Sequence, residues 1–419
     1  MIPEGWSVQR GDEVSTKITK GASPKWQGFD YQDDGVLFVT SENVRDGYLD
    51  VSSPKYLPIA FGEKQKGSRL RHGDVLINIV GASIGRSCRF DLSEVEANIN
   101  QAVCVLRPKS FELGSYLIQY LQSPRGIQQL FGQQSDSARP NLTLEDIRSF
   151  SFPLPPSKER AKIVHFLETW DRAIETVEAL IANARAQKQA LMQQLLPQGT
   201  TPPKKRLPGF SGEWRETTIE GVANVLVSNV DKKSVKGERP VRLCNYMDVY
   251  RSDQIVTEMD FMAATATEAQ IRKFGLTVGD VIITKDSETP DDIAIPTIVQ
   301  STASDLVCGY HLAILRPKDG TDGQFLKFFF EHPRTRHFFA SRANGATRFG
   351  LTVGAIETAP ISLPSYAEQK EIGNVILAAE IEIHRLKPIL TALRQEKAAL
   401  MQQLLTGKRR VKFPESEVA

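Results

Sequence analysis

The chain has 419 residues, of which 41% are hydrophobic and 24% charged, a composition typical of globular proteins with room for two or three domains. No stretch approaches the roughly 18 apolar residues of a membrane helix, and the first residues have no secretory signal pattern, so we expect a cytoplasmic protein without membrane contact. The formal net charge of +2 neither favours nor excludes nucleic acid, because a DNA footprint would be a local basic patch.

Residues 1–153 are predicted to form a mixed α+β domain. Short β-branched runs, such as residues 75–80 and 103–107, alternate with clusters of Gly, Asp and Asn, a pattern typical of strands joined by turns. A helix follows them, because the apolar side chains within residues 113–121 recur at intervals of three and four. Pro124 then closes that segment. The first third of the chain therefore combines strand and helix signals.

Residues 154–200 are predicted to contain a long helix that packs on a partner helix. From Ile163 to Leu195 the apolar positions alternate at intervals of four and three residues, which is the heptad seam of a coiled coil. Ser157 is the N-cap candidate, and a Pro-Gln-Gly stretch ends the helix. Lys188 interrupts the seam. Because a buried amine is costly against most partners, this lysine favours one alignment with the partner helix.

Residues 201–362 open with a proline-rich linker and then repeat the organisation of the first domain. GDVLI at 73–77 returns as GDVII at 279–283, and LRPK at 106–109 returns at 315–318. The two LRPK segments are separated by 315 − 106 = 209 residues. The inner segments GASIGRSCRF and TKDSETPDDIA have little in common. The two domains are therefore expected to share a scaffold and to differ in these inner segments.

Residues 363–419 contain a second copy of the long helix and a C-terminal tail. LPSYAEQKEIG and the second LMQQLL lie at the same offset from LPPSKERAKIV and the first LMQQLL, because 363 − 154 and 400 − 191 both equal 209. Lys397 interrupts the second seam at the position that Lys188 has in the first. Pro388 replaces Ala179, and an interior proline predicts a kink in the second helix.

The chain is therefore predicted to be a tandem duplication of a domain followed by a helix. The fold class that we expect is α+β, with two tandem globular α+β domains and two long α-helices that form an antiparallel coiled coil. The equal lengths of the two helices make each copy the simplest partner for the other. Such a pair has an approximate two-fold axis and would hold two similar domains at opposite ends of a rod.

Motifs for catalysis or metal binding are not found in the sequence. There is no GxGxxG or Walker A loop, no HExxH, and no Asp/Asn-Pro-Pro-aromatic tetrapeptide of amino-methylating DNA enzymes. The four cysteines form no CxxC pair and are predicted to be reduced core residues. The histidines have no metal-ligand spacing, and the acidic residues within 286–292 are interpreted as an exposed loop. We therefore expect no catalytic residue and no metal site.

Basic and amide side chains collect locally and are the candidates for DNA contact. A solvated loop is the alternative for each basic cluster, although phosphate neutralisation needs such clusters. Arg139 and Arg348 occupy matched positions, since 348 − 139 = 209. Guanidinium and amide groups read guanine and adenine edges in pairs of hydrogen bonds, or else they bind backbone carbonyls in a structured turn. The candidates, which include residues of the divergent inner segments, are Lys64, Lys66, Arg69, Arg71, Ser83, Arg86, Arg139, Asn141, Lys232, Lys233, Lys236, Arg239, Lys285, Arg342, Asn344 and Arg348.

The order domain, helix, domain, helix, with LPPSKERAKI and LPSYAEQKEI at the helix starts and LMQQLL at both ends, resembles the DNA specificity subunits of type I restriction-modification systems. GDVLI, SARPNLTLEDI and TKDSETPDDIA are similar to that family as well, so the resemblance covers essentially the whole chain. It implies a non-catalytic reader. Each globular domain would be a target recognition domain for one half of a bipartite double-stranded DNA site, and the helices would set the separation.

The resemblance also implies partners and cofactors. In this family the DNA methyltransferase subunits carry S-adenosylmethionine and methylate adenine N6, and the restriction subunits, which are motor-nucleases, carry ATP and magnesium. This chain is expected to carry no cofactor of its own and to dock both kinds of subunit.

Two other functions are left open by the residues alone. A coiled-coil scaffold with two protein-binding domains explains the repeat, but it does not explain basic and amide groups at matched positions. A gel shift with a mixed DNA pool separates it from a DNA reader. A self-contained endonuclease is tested by incubating the chain with DNA and Mg²⁺, and we expect no cleavage.

Overall fold

The computed structural model describes residues 2–132 and 141–411 and divides into two compact units. Unit 1 comprises residues 1–178 and 388–419, and unit 2 comprises residues 179–387. Each unit therefore holds one α+β region and one part of each long helix. Each helix of residues 2–132 and 141–411 is either too short or too polar to span a membrane.

The first α+β region alternates short strands and short helices. Two of its helices begin at side chains that accept backbone hydrogen bonds. The Ser110 Oγ accepts from the Leu113 N–H at 3.2 Å, and Thr143 forms a capping box with Asp146. The elements are β1 (Ser7–Arg10), α1 (Gly11–Val14), β2 (Ser15–Lys20), β3 (Val36–Val39), β4 (Tyr56–Leu57), α2 (Ile59–Lys64), β5 (Val75–Asn78), β6 (Ser87–Arg89), β7 (Ala97–Ile99), β8 (Val103–Pro108), α3 (Phe111–Leu121), α4 (Pro124–Gly132), α5 (Leu144–Ser149) and β9 (Ser151–Leu154).

Unit 1 contains a four-stranded antiparallel sheet in the order β2-β8-β5-β6 and a three-stranded sheet in the order β4-β3-β7. In the larger sheet Lys20 pairs with Cys104, and Asn78 pairs with Val103. The C-terminal ends of β2 and β5 therefore lie beside the N-terminal end of β8. We call this part of the molecule, with the loops that leave it, the loop end of unit 1.

The first long helix, α6 (Ser157–Leu195), leads into the second α+β region, which again alternates strands and helices. One of its helices, the one that begins at Gly323, is capped in the same way, since the Asp322 Oδ1 accepts from the Phe325 N–H at 2.9 Å. The elements are β10 (Arg215–Thr218), α7 (Ile219–Val222), β11 (Ala223–Val227), β12 (Arg239–Cys244), α8 (Tyr246–Arg251), β13 (Gln254–Ile255), β14 (Met262–Ala266), α9 (Glu268–Phe274), β15 (Val281–Thr284), β16 (Asp286–Ser287), β17 (Pro296–Val299), β18 (Leu306–Cys308), β19 (Leu312–Pro317), α10 (Gly323–Glu331), α11 (Pro333–Ala340), β20 (Phe349–Gly350), α12 (Val353–Glu357) and β21 (Pro360–Leu363).

Unit 2 contains a five-stranded sheet in the order β11-β19-β15-β17-β13 and a three-stranded sheet in the order β14-β12-β18. Val227 pairs with Ala313, and Thr284 pairs with Leu312. The C-terminal ends of β11 and β15 therefore lie beside the N-terminal end of β19, as β2, β5 and β8 do in unit 1. We call this part, with its loops, the loop end of unit 2.

The second long helix is α13 (Tyr366–Leu404), and α6 and α13 are each 39 residues long. They pack together as the heptad seams predict. In unit 1, Asp171 of α6 forms an ion pair with Lys397, and Glu178 forms one with Arg394. Because the partner position decreases as the α6 position increases, the two helices run antiparallel. The predicted fold class, α+β with two α+β regions and two packed long helices, is confirmed.

Both long helices start within one residue of a serine. The Ser365 Oγ accepts from the Glu368 N–H at 3.3 Å, as an N-cap should. Ser157, the predicted N-cap, is instead the first helical residue of α6, one position after the N-cap. Pro388 lies inside α13, where its missing N–H leaves the His384 carbonyl without the usual helical donor. The kink at Pro388 stays a prediction.

The main core of unit 1 includes the seam residues of both long helices. Ile77 of β5 and Tyr116 of α3 are fully buried in one cluster with Ile163, Leu167 and Leu404. Burying a side chain of this size stabilises the fold by roughly 1.5–3 kcal/mol. The apolar seams therefore also hold the helices against the sheet. The four cysteines are buried and free, as predicted.

Candidate nucleic-acid interface

The loop end of unit 1 brings together three of the sequence candidates. Ser83 and Arg86 lie in the loop between β5 and β6, and Asn141 forms a bridge with Val80 in the same loop. The Asn78 Nδ2 donates to the Ser83 Oγ at 3.1 Å and so holds the loop to the end of β5. Asn141 is exposed, and Ser83 and Arg86 are half-buried. Hydroxyl, guanidinium and amide groups therefore share one surface.

The loop end of unit 2 gathers the corresponding candidates. The Leu351 N–H donates to the Lys285 carbonyl at 2.9 Å, so the segment that contains Arg348 lies against the end of β15. Asn344 and Gly350 exchange two backbone hydrogen bonds of 3.0 and 2.9 Å. Asn344 and Arg348 are exposed. An amide, a guanidinium and an amine thus lie near the end of one strand.

Asp286, Tyr310 and His311, which the sequence did not single out for DNA contact, join Lys285 and Lys232 at the same place. The His311 Nδ1 lies 2.8 Å from the Asp286 Oδ2, and the Lys285 Nζ lies 2.5 Å from the Oδ1 of the same carboxylate. Tyr310 packs on His311 with ring centroids 4.0 Å apart, and the Lys232 Nζ lies 5.9 Å from the Tyr310 ring. The Gly-Tyr-His sequence between two strands was the available signal, but the pairing with Asp286 is tertiary.

The acidic segment that follows β15 is only partly the exposed loop that we expected from its sequence, because Asp286 and Asp292 are half-buried. Asp286 belongs to β16, which pairs with β20. Asp292 accepts hydrogen bonds from the Tyr250 hydroxyl at 3.1 Å and the Thr289 hydroxyl at 2.9 Å. These carboxylates serve as acceptors for protein donors and organise the loop end of unit 2.

In the first basic cluster, Arg71 lies at the opposite end of β5 from the loop end of unit 1. The Arg71 N–H donates to Asp74, which immediately precedes β5, whereas the loop end follows β5. Arg69 lies 3.5 Å from Glu96, and the Lys64 Nζ donates to the Gln27 carbonyl at 3.1 Å. Lys64, Lys66 and Arg71 are exposed, and Arg69 is half-buried. The fold therefore separates Arg71 from Ser83, Arg86 and Asn141.

The second basic cluster is divided by the fold. The Lys232 Nζ lies over the Tyr310 ring at the loop end of unit 2. The neighbouring Lys233 lies 3.5 Å from Asp231. Arg239 begins β12 at the opposite end and lies 3.7 Å from Glu268. The candidates Lys232, Lys233, Lys236 and Arg239 are all exposed.

The matched arginine segment contains side chains in two different environments. Arg342 packs its guanidinium over the Phe338 ring at 3.5 Å and donates to the Phe338 carbonyl at 3.3 Å, which is the structured-turn alternative. Arg348 is exposed at the turn before β20. Arg139 lies outside the described residues.

Within residues 2–132 and 141–411, one set of side chains has the composition of a metal site. Ligand atoms of Asp253, Glu380 and His384 lie within 4.8 Å of one another. However, the Lys327 Nζ lies 2.6 Å from the Glu380 carboxylate and occupies the place of a cation. Burial acts to raise the pKa of Asp253, but Lys327, Lys188 and His384 outweigh it and leave that pKa below its ordinary value. We therefore interpret the set as an ion-pair network.

Comparison with known proteins accounts for this combination of fold and surface. Residues 3–184 match the family model described as the type I restriction modification DNA specificity domain. The putative type I restriction enzyme MjaX specificity subunit of Methanocaldococcus jannaschii is 23% identical, over 98% of this chain and 95% of that protein. The chain belongs to the family of type I restriction-modification specificity subunits.

Two further comparisons agree with this assignment. The type I restriction enzyme EcoBI specificity subunit of Escherichia coli is 27% identical over 47% of this chain and 41% of that protein. The crystal structure of the S subunit from M. genitalium has a TM-score of 0.57 and 12% identity, over 99% of this chain and 97% of that one, and shows that the fold is shared. The specificity subunit is non-catalytic, and it recognises DNA targets as part of a type I restriction-modification complex. Subunits of this family carry no cofactor themselves.

Proposed function

We propose that this specificity subunit reads a bipartite double-stranded DNA site with one target recognition domain for each half-site. Residues 1–153 form the first of these domains and residues 201–362 the second. The two long helices, within residues 154–200 and 363–419, set the distance between the half-sites.

The observation that carries this proposal is a shared backbone scaffold at the two loop ends. The Leu142 N–H donates to the Ile79 carbonyl in unit 1, and the Leu351 N–H donates to the Lys285 carbonyl in unit 2, both at 2.9 Å. Since 351 − 142 = 209, the donors are repeat partners. Matched backbone positions thus present different side chains, which suits two domains that read different base sequences.

The proposed base contacts come from the loop ends. Ser83, Arg86 and Asn141, together with Arg139, serve the first half-site, because hydroxyl, guanidinium and amide groups match base edges in the major groove. Lys285, Asn344 and Arg348 serve the second. Phosphate contacts are proposed for the remaining candidates, since amines and guanidinium groups neutralise the backbone whatever the sequence. These are Lys64, Lys66, Arg69, Arg71, Lys232, Lys233, Lys236, Arg239 and Arg342.

The partners follow from membership in the family. The proposed partners are DNA methyltransferase subunits, which would bring S-adenosylmethionine, and restriction subunits, which would bring ATP and Mg²⁺. The specificity subunit would dock both kinds of subunit in the cytoplasm. Its own part in the reaction is to hold the complex at the correct site.

A domain exchange tests the proposal. Residues 1–153 are replaced by the matching region of another specificity subunit, and the chimera is assembled with the methyltransferase subunits. Sequencing of methylated adenines should show that one half of the recognised sequence has changed and that the other half is kept. A change in both halves would contradict the model of two independent readers. A gel shift with the unexchanged complex, run in parallel, excludes the scaffold alternative if a defined DNA site is retained.

A further inference from the structure

We propose that His311 contacts DNA in the half-site read by unit 2 and that Asp286 is its positioning residue. This inference rests on the proposed function of residues 201–362 as a DNA reader and adds to it a specificity-determining side chain.

The backbone of His311 is fastened to the end of β15. Its carbonyl accepts hydrogen bonds from the Lys285 N–H at 2.9 Å and from the Asp286 N–H at 3.3 Å. Its φ is +67°, in the left-handed region that non-glycine residues rarely adopt. The turn between β18 and β19 therefore places the imidazole in a defined position at the loop end of unit 2.

The side chain is oriented as well. Asp286 binds the Nδ1 at 2.8 Å, so contact with an external ligand falls to the Nε2 on the other side of the ring. The Lys285 Nζ holds the same carboxylate at 2.5 Å and restricts it in turn. The His311 side chain is 34% exposed. A ring that is partly exposed and held at one nitrogen is suited to donate or accept a directed hydrogen bond.

The surroundings of the ring favour an anionic and planar partner. The cations Lys232 and Lys285 outnumber the single carboxylate of Asp286, which gives this cluster a net charge of +2 − 1 = +1. Tyr310 adds an aromatic face against the imidazole at 4.0 Å. Positive charge attracts phosphates, and a directed polar group beside an aromatic ring suits base edges. DNA therefore fits this cluster better than an apolar or basic protein segment.

Unit 1 shows that the fold does not need the imidazole. At the matched position, since 311 − 209 = 102, the Ala102 carbonyl accepts from the Ile79 N–H at 2.9 Å, as the His311 carbonyl accepts from Lys285. The backbone hydrogen bond is the same in the two units, while the side chain differs. A group that adds nothing to the shared scaffold, but projects from it in one unit, has the properties expected of a specificity determinant.

The test uses the complete complex with methyltransferase subunits and three variants. In His311→Asn the amide can keep the Asp286 contact and asparagine tolerates the left-handed backbone, but the Nε2 is lost. In His311→Gln the longer amide can replace the Nε2. His384→Asn is the matched control, because His384 also pairs with an aspartate of unit 2, with its Nε2 3.0 Å from Asp253, but it lies on α13. Binding is measured on DNA substituted at each position of each half-site, over a series of salt concentrations, and Tm is measured alongside.

We expect His311→Asn to bind about three- to tenfold more weakly, the loss of one directed hydrogen bond, with little change in Tm. The loss should disappear on DNA substituted at one base pair of the second half-site. If His311 contacts a phosphate instead, the loss of affinity should be the same on every substituted DNA, and binding should depend less steeply on salt concentration. His311→Gln should bind closer to wild type, and His384→Asn should bind as wild type does.

Equal binding of His311→Asn and wild type to all the DNAs would overturn the inference and leave the proposed function intact. A defect in subunit assembly, with DNA preference unchanged in the complexes that form, would also overturn it and would identify the surface as a protein contact. If wild type itself has no preference at the second half-site, the proposed function of residues 201–362 fails. If His311→Asn lowers Tm, binding is measured at a temperature at which both the variant and wild type are folded. Recovery of binding in His311→Gln then supports the DNA contact, and a lack of recovery contradicts it.

Discussion

Lys188 of α6 lies 3.4 Å from Glu380 of α13 in unit 2, and both side chains are buried. The same contact occurs in unit 1 between Lys397 and Asp171, and 397 − 188 and 380 − 171 both equal 209. Each lysine that breaks a heptad seam therefore meets an acid from the other helix. A shifted register would leave both amines without these acids, so the two pairs specify the alignment of the helices.

The pair in unit 2 belongs to a larger network. The Lys327 Nζ lies 2.6 Å from Glu380 and 3.0 Å from Glu331, and the Lys327 side chain is 1% exposed. Lys188 also lies 2.6 Å from Glu331. The repeat position of Lys327 in unit 1 is Ile118, so an apolar side chain stands there in place of the second buried amine.

Removing the central acid should destabilise unit 2. In Glu380→Gln two buried amines keep Glu331 as their nearest acid, and breaking a buried ion pair costs about 3–5 kcal/mol. We expect the free energy of unfolding to fall by about 3 kcal/mol, which denaturant unfolding of the chain will measure. Glu382→Gln, an exposed position on the same helix, is the control and should have little effect. Equal effects of the two variants would mean that the network does not stabilise the fold.

The same network predicts how stability depends on pH. Burial acts to raise the pKa of Glu331, but Lys327 and Lys188 outweigh it and leave that pKa below its ordinary value of 4.5. The folded chain thus favours the ionised carboxylate. The contribution of the Glu331 carboxylate to stability is present above pH 4.5 and is lost as the pH falls through its pKa in the folded chain. Tm should decrease on acidification below about pH 5, and it should decrease less steeply in Glu331→Gln. Parallel curves for the two proteins would contradict this assignment.

Arg348 should affect recognition of one half-site without affecting stability. It is exposed, so Arg348→Ala should leave Tm nearly unchanged. If the guanidinium makes a bidentate base contact, binding should weaken by about 1–3 kcal/mol, and only for the second half-site. Arg139→Ala should do the same for the first. Arg272→Ala, an exposed arginine of α9, is the control. A lowered Tm with unchanged site preference would indicate a structural turn instead.

The heptad seams predict that the helices measure the distance between half-sites. One heptad inserted after Ile181 and another after Leu390 keep the register while each helix gains about 10 Å. At about 3.4 Å per base pair, the spacer between the half-sites should widen by roughly three base pairs. Recognition is expected to weaken, because the duplex also turns by nearly a third of a revolution over that length. Sequencing of methylated adenines measures the spacer. An unchanged spacer in an active variant would show that the helices do not set the distance between the half-sites.

Much of the site could not be predicted from the sequence, because its residues are distant along the chain. Asp286 and His311 come together only because β15 and β19 pair in a particular register. The cations at positions 64–71 form a cluster in the sequence, yet Arg71 lies at the opposite end of β5 from Asn141. Local clustering of charge records which residues are neighbours in the chain. It does not record which ends of which strands meet.

The sequence by itself determined the repeat, the two long helices and the place of their lysines, since heptad spacing and a constant offset of 209 residues are properties of the linear chain. Only the tertiary structure decided which acids meet those lysines, and that Lys327 joins them in one unit while Ile118 takes its place in the other. It also decided that Lys285, Asp286 and His311 form one cluster. The physical reason is that periodicity specifies the buried face of a helix, whereas strand pairing and packing between elements decide which polar groups are brought within hydrogen-bonding distance.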